Sequence, residues 1–116
     1  MIKLTVLYNL PPGTDEAEFL RWRTTEHQAS NTSIPGVVRT DFYQIDGVPQ
    51  VGPEQPRLAP APYRFMTEAY WADRETFEQV WYDPAHQAEL LPSVARIADA
   101  LFLVSEEVLS WEKAGG

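Results

Sequence analysis

An α+β sandwich of order β-α-β-β-α-β, its sheet antiparallel and its helices on one face, is the fold the sequence predicts. Three observations carry it. Residues 2 to 9 alternate in polarity, the period of a strand. Two runs rich in β-branched and aromatic residues, Val37 to Ile45 and Tyr63 to Trp71, follow the first helix-forming segment in succession. A second helical stretch then leads into a last apolar run over residues 100 to 109. That order is the ferredoxin-like split β-α-β arrangement.

Element by element, the first strand turns Ile2, Leu4, Val6 and Tyr8 one way and Lys3, Thr5, Leu7 and Asn9 the other. Pro11, Pro12 and Gly13 stop it. Thr14 or Asp15 can cap the next helix, whose Asp15, Glu16 and Glu18 suit the positive end of its dipole. This helix runs to about Gln28, and Asn31 to Gly36 reads as a turn. The second strand, Val37 to Ile45, has Val38 and Phe42 on its apolar face. Residues 46 to 62 hold five prolines and two glycines, which predicts a long loop without regular structure, mobile or in contact with a second copy. The third strand, Tyr63 to Trp71, turns Phe65, Ala69 and Trp71 inward. Asp73 caps a short helix with Phe77, Val80 and Trp81 on its inner side. Asp83–Pro84 opens the next, with Pro at the first helical position. Its stripe is Leu90, Val94 and Ile97, and Pro92 is expected to kink or restart it. Ala114 to Gly116 reads as a flexible end.

The length of 116 residues suits one domain, residues 1–116. Hydrophobic residues at 44% and charged residues at 22% exclude wholesale disorder. A net charge of −8 repels phosphate backbones and anionic lipid, so neither nucleic acid nor a membrane surface is an expected partner. The chain has no cysteine, which removes disulfides, thiol catalysis and zinc–thiolate sites and suits a cytoplasmic location. No apolar run approaches the roughly 20 residues of a membrane span, and MIKLTVLYNL is not read as a signal peptide. His27 and His86 lack metal-ligand spacing, and there is neither a nucleophile elbow nor a Gly-rich phosphate loop. No metal and no cofactor are therefore expected.

The second face of the sheet collects Arg39, Asp41, Tyr43, Arg64, Met66, Glu68 and Tyr70. These can be cross-strand ion pairs that fix register, or the polar groups and aromatic walls of a pocket. The last strand is apolar on both faces through Leu101–Phe102–Leu103–Val104, and a second copy of the sheet is the simplest cover. At about 100° per residue His27 lies about 80° from Phe19, on the core-facing side of the last helical turn. There it can exchange a proton near neutral pH, or only cap the helix end. His86, at a helix start, reads as surface.

The opening IKLTVLY, the aromatic-x4-His segment from Trp22 to His27, the turn and strand IPGVVRTDFY, the strand TEAYWAD and the closing LFLVSEEV together resemble the EthD family. The family pattern after the histidine resembles H-x-P-L, whereas this chain reads His27–Gln28–Ala29–Ser30. The resemblance implies a homodimer in which two sheets form a dimeric α/β barrel. It also implies chemistry of the kind associated with relatives: degradation of ethers and aromatic compounds, and cofactor-free oxygenation, cyclisation or dehydration of polyketide-like molecules.

The expectation is thus a small cofactor-independent enzyme that abstracts a proton from an apolar aromatic or polyketide-like substrate. His27 is the candidate general acid/base, Arg39 the oxyanion holder and Glu68 the group that orients either of them. Trp22, Tyr43, Tyr70 and Met66 are the candidate substrate-binding residues. The alternative is a small-ligand-binding or accessory module without turnover. A cavity of about 300 Å³ or more reaching His27 favours the enzyme, and a plugged one favours the alternative.

Overall fold

The elements run β1 (Ile2–Asn9), α1 (Glu16–Thr24), α2 (Glu26–Thr32), β2 (Val37–Gln44), β3 (Val48–Pro49), β4 (Leu58–Ala59), β5 (Phe65–Trp71), α3 (Arg74–Trp81), α4 (Pro84–Val94) and β6 (Ala98–Glu106) in a computed structural model describing residues 1–114. Of the predicted flexible end, Gly115 and Gly116 lie outside the described residues. The main sheet has the order β2-β5-β1-β6 with all neighbours antiparallel, and the helices pack on one face. This is the ferredoxin-like α+β arrangement. The apolar parity of β1 and β5 puts Leu4 opposite Ala69 and Ile2 opposite Trp71 under the helices. Among the described residues, no helix is long and apolar enough to cross a membrane.

Local chemistry explains where the chain departs from the sequence reading. Asp15 caps α1 by accepting from the Glu18 N–H at 3.2 Å, and Asp73 caps α3 through the Thr76 N–H at 2.8 Å. The expected single helix to Gln28 is two helices broken at Thr25. Thr24 Oγ1 donates to the Leu20 carbonyl at 2.8 Å and Thr25 Oγ1 to the Arg21 carbonyl, back-bonds that compete with helix continuation. The chain then resumes as α2 through Thr32, so the turn starts later than Asn31. Pro92 neither kinks nor restarts α4, which is continuous to Val94. It sits in the last turn, where only the exposed Ala88 carbonyl is deprived of its helical donor.

Segment 46–62 carries more order than expected. Val48 pairs with Ala59 and Pro49 with Leu58, making a two-residue ribbon around a turn at 52–55. So short a ladder needs few N–H donors, and Pro53 and Pro56 fall outside it. A register shift between Val37 and Arg39 moves Val38 off the core face, and Val37 packs there instead. A second shift separates the Leu7 and Asn9 pairings with β6, where Asp99 takes φ 57°. Strand β6 begins at Ala98 and ends at Glu106, leaving Val108, Leu109 and Trp111 beyond it and exposed.

The core divides in two. Ile2, Leu4, Ala69, Trp71 and Phe77 form one cluster, and Tyr8, Phe19 and Phe65 form the other. Partly buried Val6 packs against both.

Candidate functional site

Where the two clusters meet, the helices and the sheet enclose a cavity of about 100 Å³. Leu4, Val6, Tyr8, Thr67, Ala69, Trp71 and Phe102 form its floor. Trp22, Arg23 and His27 come from α1 and α2, Trp81 from the end of α3, and His86, Leu90 and Ser93 from α4. A second, more polar space of about 160 Å³ adjoins it through His27, Asn31, Ile34, His86, Leu90 and Ser93. Ser30, Ser33 and Glu89 complete that mouth. The inner cavity reaches His27 and is not plugged, but it falls short of the roughly 300 Å³ that would favour the enzyme over the binding module, and it suits a single ring or a short chain.

His27 is not in the last turn of a helix. The break at Thr25 makes it the second residue of α2, so the favourable meeting of a cation with a helix C-terminus does not apply. Its ring stacks on Trp22 with centroids 4.5 Å apart, and Nδ1 lies 3.4 Å from Ser93 Oγ. Burial lowers its pKa to about 4, and the positive charges of Arg23 and Arg96 push the same way. At neutral pH the imidazole is uncharged. The Arg96 guanidinium lies over the Trp22 ring at 4.1 Å, so a cation, an indole and an imidazole are in direct succession.

Arg23 has 2% of its surface exposed. Nη1 donates to Gln28 Oε1 at 2.8 Å, Nη2 donates to Thr67 Oγ1 at 3.2 Å, and the guanidinium covers the Phe42 ring at 4.4 Å. Gln28 Nε2 in turn donates to Thr40 Oγ1 at 2.7 Å. Tyr8 Oη lies 3.4 Å from Thr67 Oγ1, and burial raises the Tyr8 pKa.

The sequence-based candidates fall into two groups. His27 and Trp22 meet in the cavity. Arg39, Glu68, Tyr43, Tyr70 and Met66 do not join them. On β5, Met66, Glu68 and Tyr70 alternate with the cavity-lining Thr67, Ala69 and Trp71 and so occupy the opposite face of the sheet, and on β2 Arg39 and Tyr43 pair with Tyr70 and Met66 and share that face. There Glu68 Oε2 lies 3.0 Å from Lys3 Nζ and accepts from Tyr70 Oη at 3.0 Å, so it orients neither His27 nor Arg39. The Tyr70 pKa is pushed up to about 12, first by burial and then by that hydrogen bond. Arg39 Nε donates to Asp41 Oδ2 at 3.0 Å instead. Of these contacts only Lys3–Glu68 joins two strands; Arg39–Asp41 and Tyr70–Glu68 each lie within one.

Arg23, His86 and Ser93 are among the cavity residues that escaped the sequence reading. Arg23 lies at +4 from Phe19, about 40° away on the same stripe, and that position was the available signal. His86 is half-buried rather than surface, because the first turn of α4 brings it to Trp81, with ring centroids 5.9 Å apart. Ser93 had no signal beyond its place beside the Leu90–Val94 stripe. Among the described residues, no group of three or more His, Asp or Glu side chains is placed to hold a metal.

A family model described as EthD domain matches residues 11–100. No curated protein matches the sequence significantly. Among solved structures, the chain is similar to an ethyl tert-butyl ether D (EthD) family protein from Bacillus halodurans at 22% identity and a TM-score of 0.67, covering 93% of this chain and 99% of that one. It is also similar to a dimeric ferredoxin-like protein of unknown function from Thermobifida fusca, at 18% identity and a TM-score of 0.61, covering 90% and 88%. SnoaB, a cofactor-independent oxygenase from Streptomyces nogalater, aligns at 13% identity and a TM-score of 0.63 over 97% of each chain. At these identities the likeness is one of fold.

Proposed function

Since the chain belongs to the EthD domain family, we propose that it is a small cofactor-independent enzyme that takes a proton from an apolar aromatic or polyketide-like substrate held in the cavity between sheet and helices. The observation that carries this reading is an uncharged His27 at the wall of an apolar chamber. A tautomer with Nδ1–H toward Ser93 leaves the Nε2 lone pair free to accept a proton from a substrate O–H or C–H, producing an imidazolium and a substrate oxyanion or carbanion. Trp22 supplies a flat apolar wall. An oxygenase, a cyclase and a dehydratase all share this first step, and the fold likeness to SnoaB adds support for the oxygenase branch.

The same reading takes residues 1–116 as one cytoplasmic domain, acting as a homodimer. The exposed apolar residues of β6 support pairing, as does the fold likeness to a dimeric protein. Arg39, Glu68, Tyr43, Tyr70 and Met66 then belong to the face available for pairing rather than to the proton transfer.

A second reading, ligand binding without turnover, draws on the absence of any carboxylate among the inner cavity residues to share the proton. A panel of phenols and lactones incubated with the wild type and His27→Gln separates the two. Turnover lost in His27→Gln supports the enzyme. Saturable binding without turnover in both proteins supports the binding module.

A further inference from the structure

The chain carries a net charge of −8, yet the inner cavity is lined by Arg23, with Arg96 against its Trp22 wall and no Asp or Glu among its residues. Glu89 belongs to the outer mouth, and Asp15 and Glu18 lie with Arg96 on the far side of Phe19. Arg23 is the unusual member. Among the described residues no carboxylate lies within ion-pair distance of it, and its acceptors, Gln28 and Thr67, are neutral, with the Tyr8 hydroxyl beside them. A buried cation without a counter-ion is costly, and a position that served packing alone would be better filled by Leu or Met. The Gln28–Thr40 chain holds the guanidinium in place rather than neutralising it.

We propose that Arg23 makes this cavity selective for small acids: an anionic ligand oxygen pairs with its guanidinium beside Tyr8 and Thr67, while a single-ring or short apolar body lies along the Leu4–Val6–Ala69 floor. The inference rests on the reading of this cavity as the ligand site, and it specifies the ligand class that the site takes. Charge, shape and burial act together. The guanidinium offers planar paired donors to a carboxylate or phenolate. The volume of about 100 Å³ admits one ring rather than a fused system. The apolar walls keep water from screening the pair. A polar substituent would project past His27 into the mouth formed by Ser30, Ser33 and His86.

The test uses benzoate and its uncharged isostere benzamide, titrated calorimetrically into the full chain at neutral pH. Benzoate is expected to bind about tenfold tighter or more, as a charge-assisted pair requires. In Arg23→Met the preference is expected to vanish, benzoate and benzamide binding equally, and in Arg23→Lys part of it returns. Should Arg23→Met not fold, the wild-type guanidinium ¹⁵N resonances give the same answer. Benzoate must shift those of Arg23 more than those of Arg39 or Arg64. Equal affinity for the two probes, a preference surviving in Arg23→Met, or shifts confined to other arginines overturns the proposal. Binding of neither probe overturns it together with the cavity reading. If benzoate binds through Arg23 but His27→Gln retains full turnover of its substrate, the proton-transfer reading fails and the acid selectivity stands.

Discussion

At the scale of single residues the site turns on one imidazole between two arginines. A histidine with a pKa of about 4 is always ready to accept a proton at neutral pH, but it is a weak base. Negative charge arriving beside Arg23 offsets one cause of that depression and strengthens the base when the substrate is bound. The His27 Cε1–H resonance should therefore titrate near pH 4 in the free protein and at higher pH with benzoate present; an unchanged midpoint would refute the coupling. Stability carries the same sign. The unfolded chain binds a proton at His27 from about pH 6.5 downward and the folded chain only from about 4, so stability falls as pH drops through that window. Urea melts at pH 7 and pH 4.5 should show this drop, and His27→Gln should reduce it. In turnover, His27→Ala and His27→Gln should both lose about 10²–10⁴-fold if the imidazole is the base. Retained activity in His27→Gln would reduce it to a structural role. Trp22 was legible because a wheel anchored on Phe19 sets it against the core; the same wheel put His27 there on a continuous helix, whereas the break at Thr25 and the stacking on Trp22 are what bring it to the cavity. Arg23 sat on that stripe too, but an arginine in a last helical turn reads as a surface residue complementing the dipole.

At the scale of elements, the strands were legible in the sequence and the joints between them were not. Alternation in β1 and β5 follows from burial on one face, and any reader of period two finds it. The shift at Val38, the break at Thr25 and the β3–β4 ribbon depend on hydrogen bonds to partners distant in sequence or on competition within a turn. Local polarity records neither. Gly36 is such a joint. It turns the chain into β2 at φ +74°, and a Cβ there would lie 2.6 Å from Thr76 Cγ2 and 3.3 Å from Trp71 Cδ1. Trp71 Nε1 closes the same corner by donating to the Pro35 carbonyl at 3.1 Å. Gly36→Ala should therefore cost at least about 1–2 kcal/mol from backbone conformation alone, with more from crowding Thr76. Pairing it with Thr76→Ser in chemical melts should recover the crowding part only, and full stability in Gly36→Ala would contradict the geometry.

At the scale of the whole molecule, the chain exposes more than its mass requires. Its accessible area is 8150 Å², against roughly 6,400 Å² for a compact monomer of this size. Its radius of gyration is 16.2 Å, against about 13 Å. Leu101, Leu103, Val108, Leu109 and Trp111 contribute to the excess. A second copy covering β6 and the tail would bring the area back into range, and obligate interfaces bury roughly 2,000 Å² or more in total. Light scattering at micromolar concentration should give about twice the chain mass, and Leu103→Asp should return it to the single-chain value by placing a charge on the face proposed for pairing. A wild-type mass of one chain would dismiss pairing. The division of β5 has its own consequence. Thr67 and Ala69 line the cavity, while Met66, Glu68 and Tyr70 project from the other side, so residues adjacent in the chain serve surfaces that share no atoms. If the two surfaces serve a ligand and a second copy as proposed, each can change without altering the other's side chains. Thr67→Val should change ligand affinity with little effect on self-association, and Glu68→Gln the reverse; a shift of both by either substitution would contradict the division.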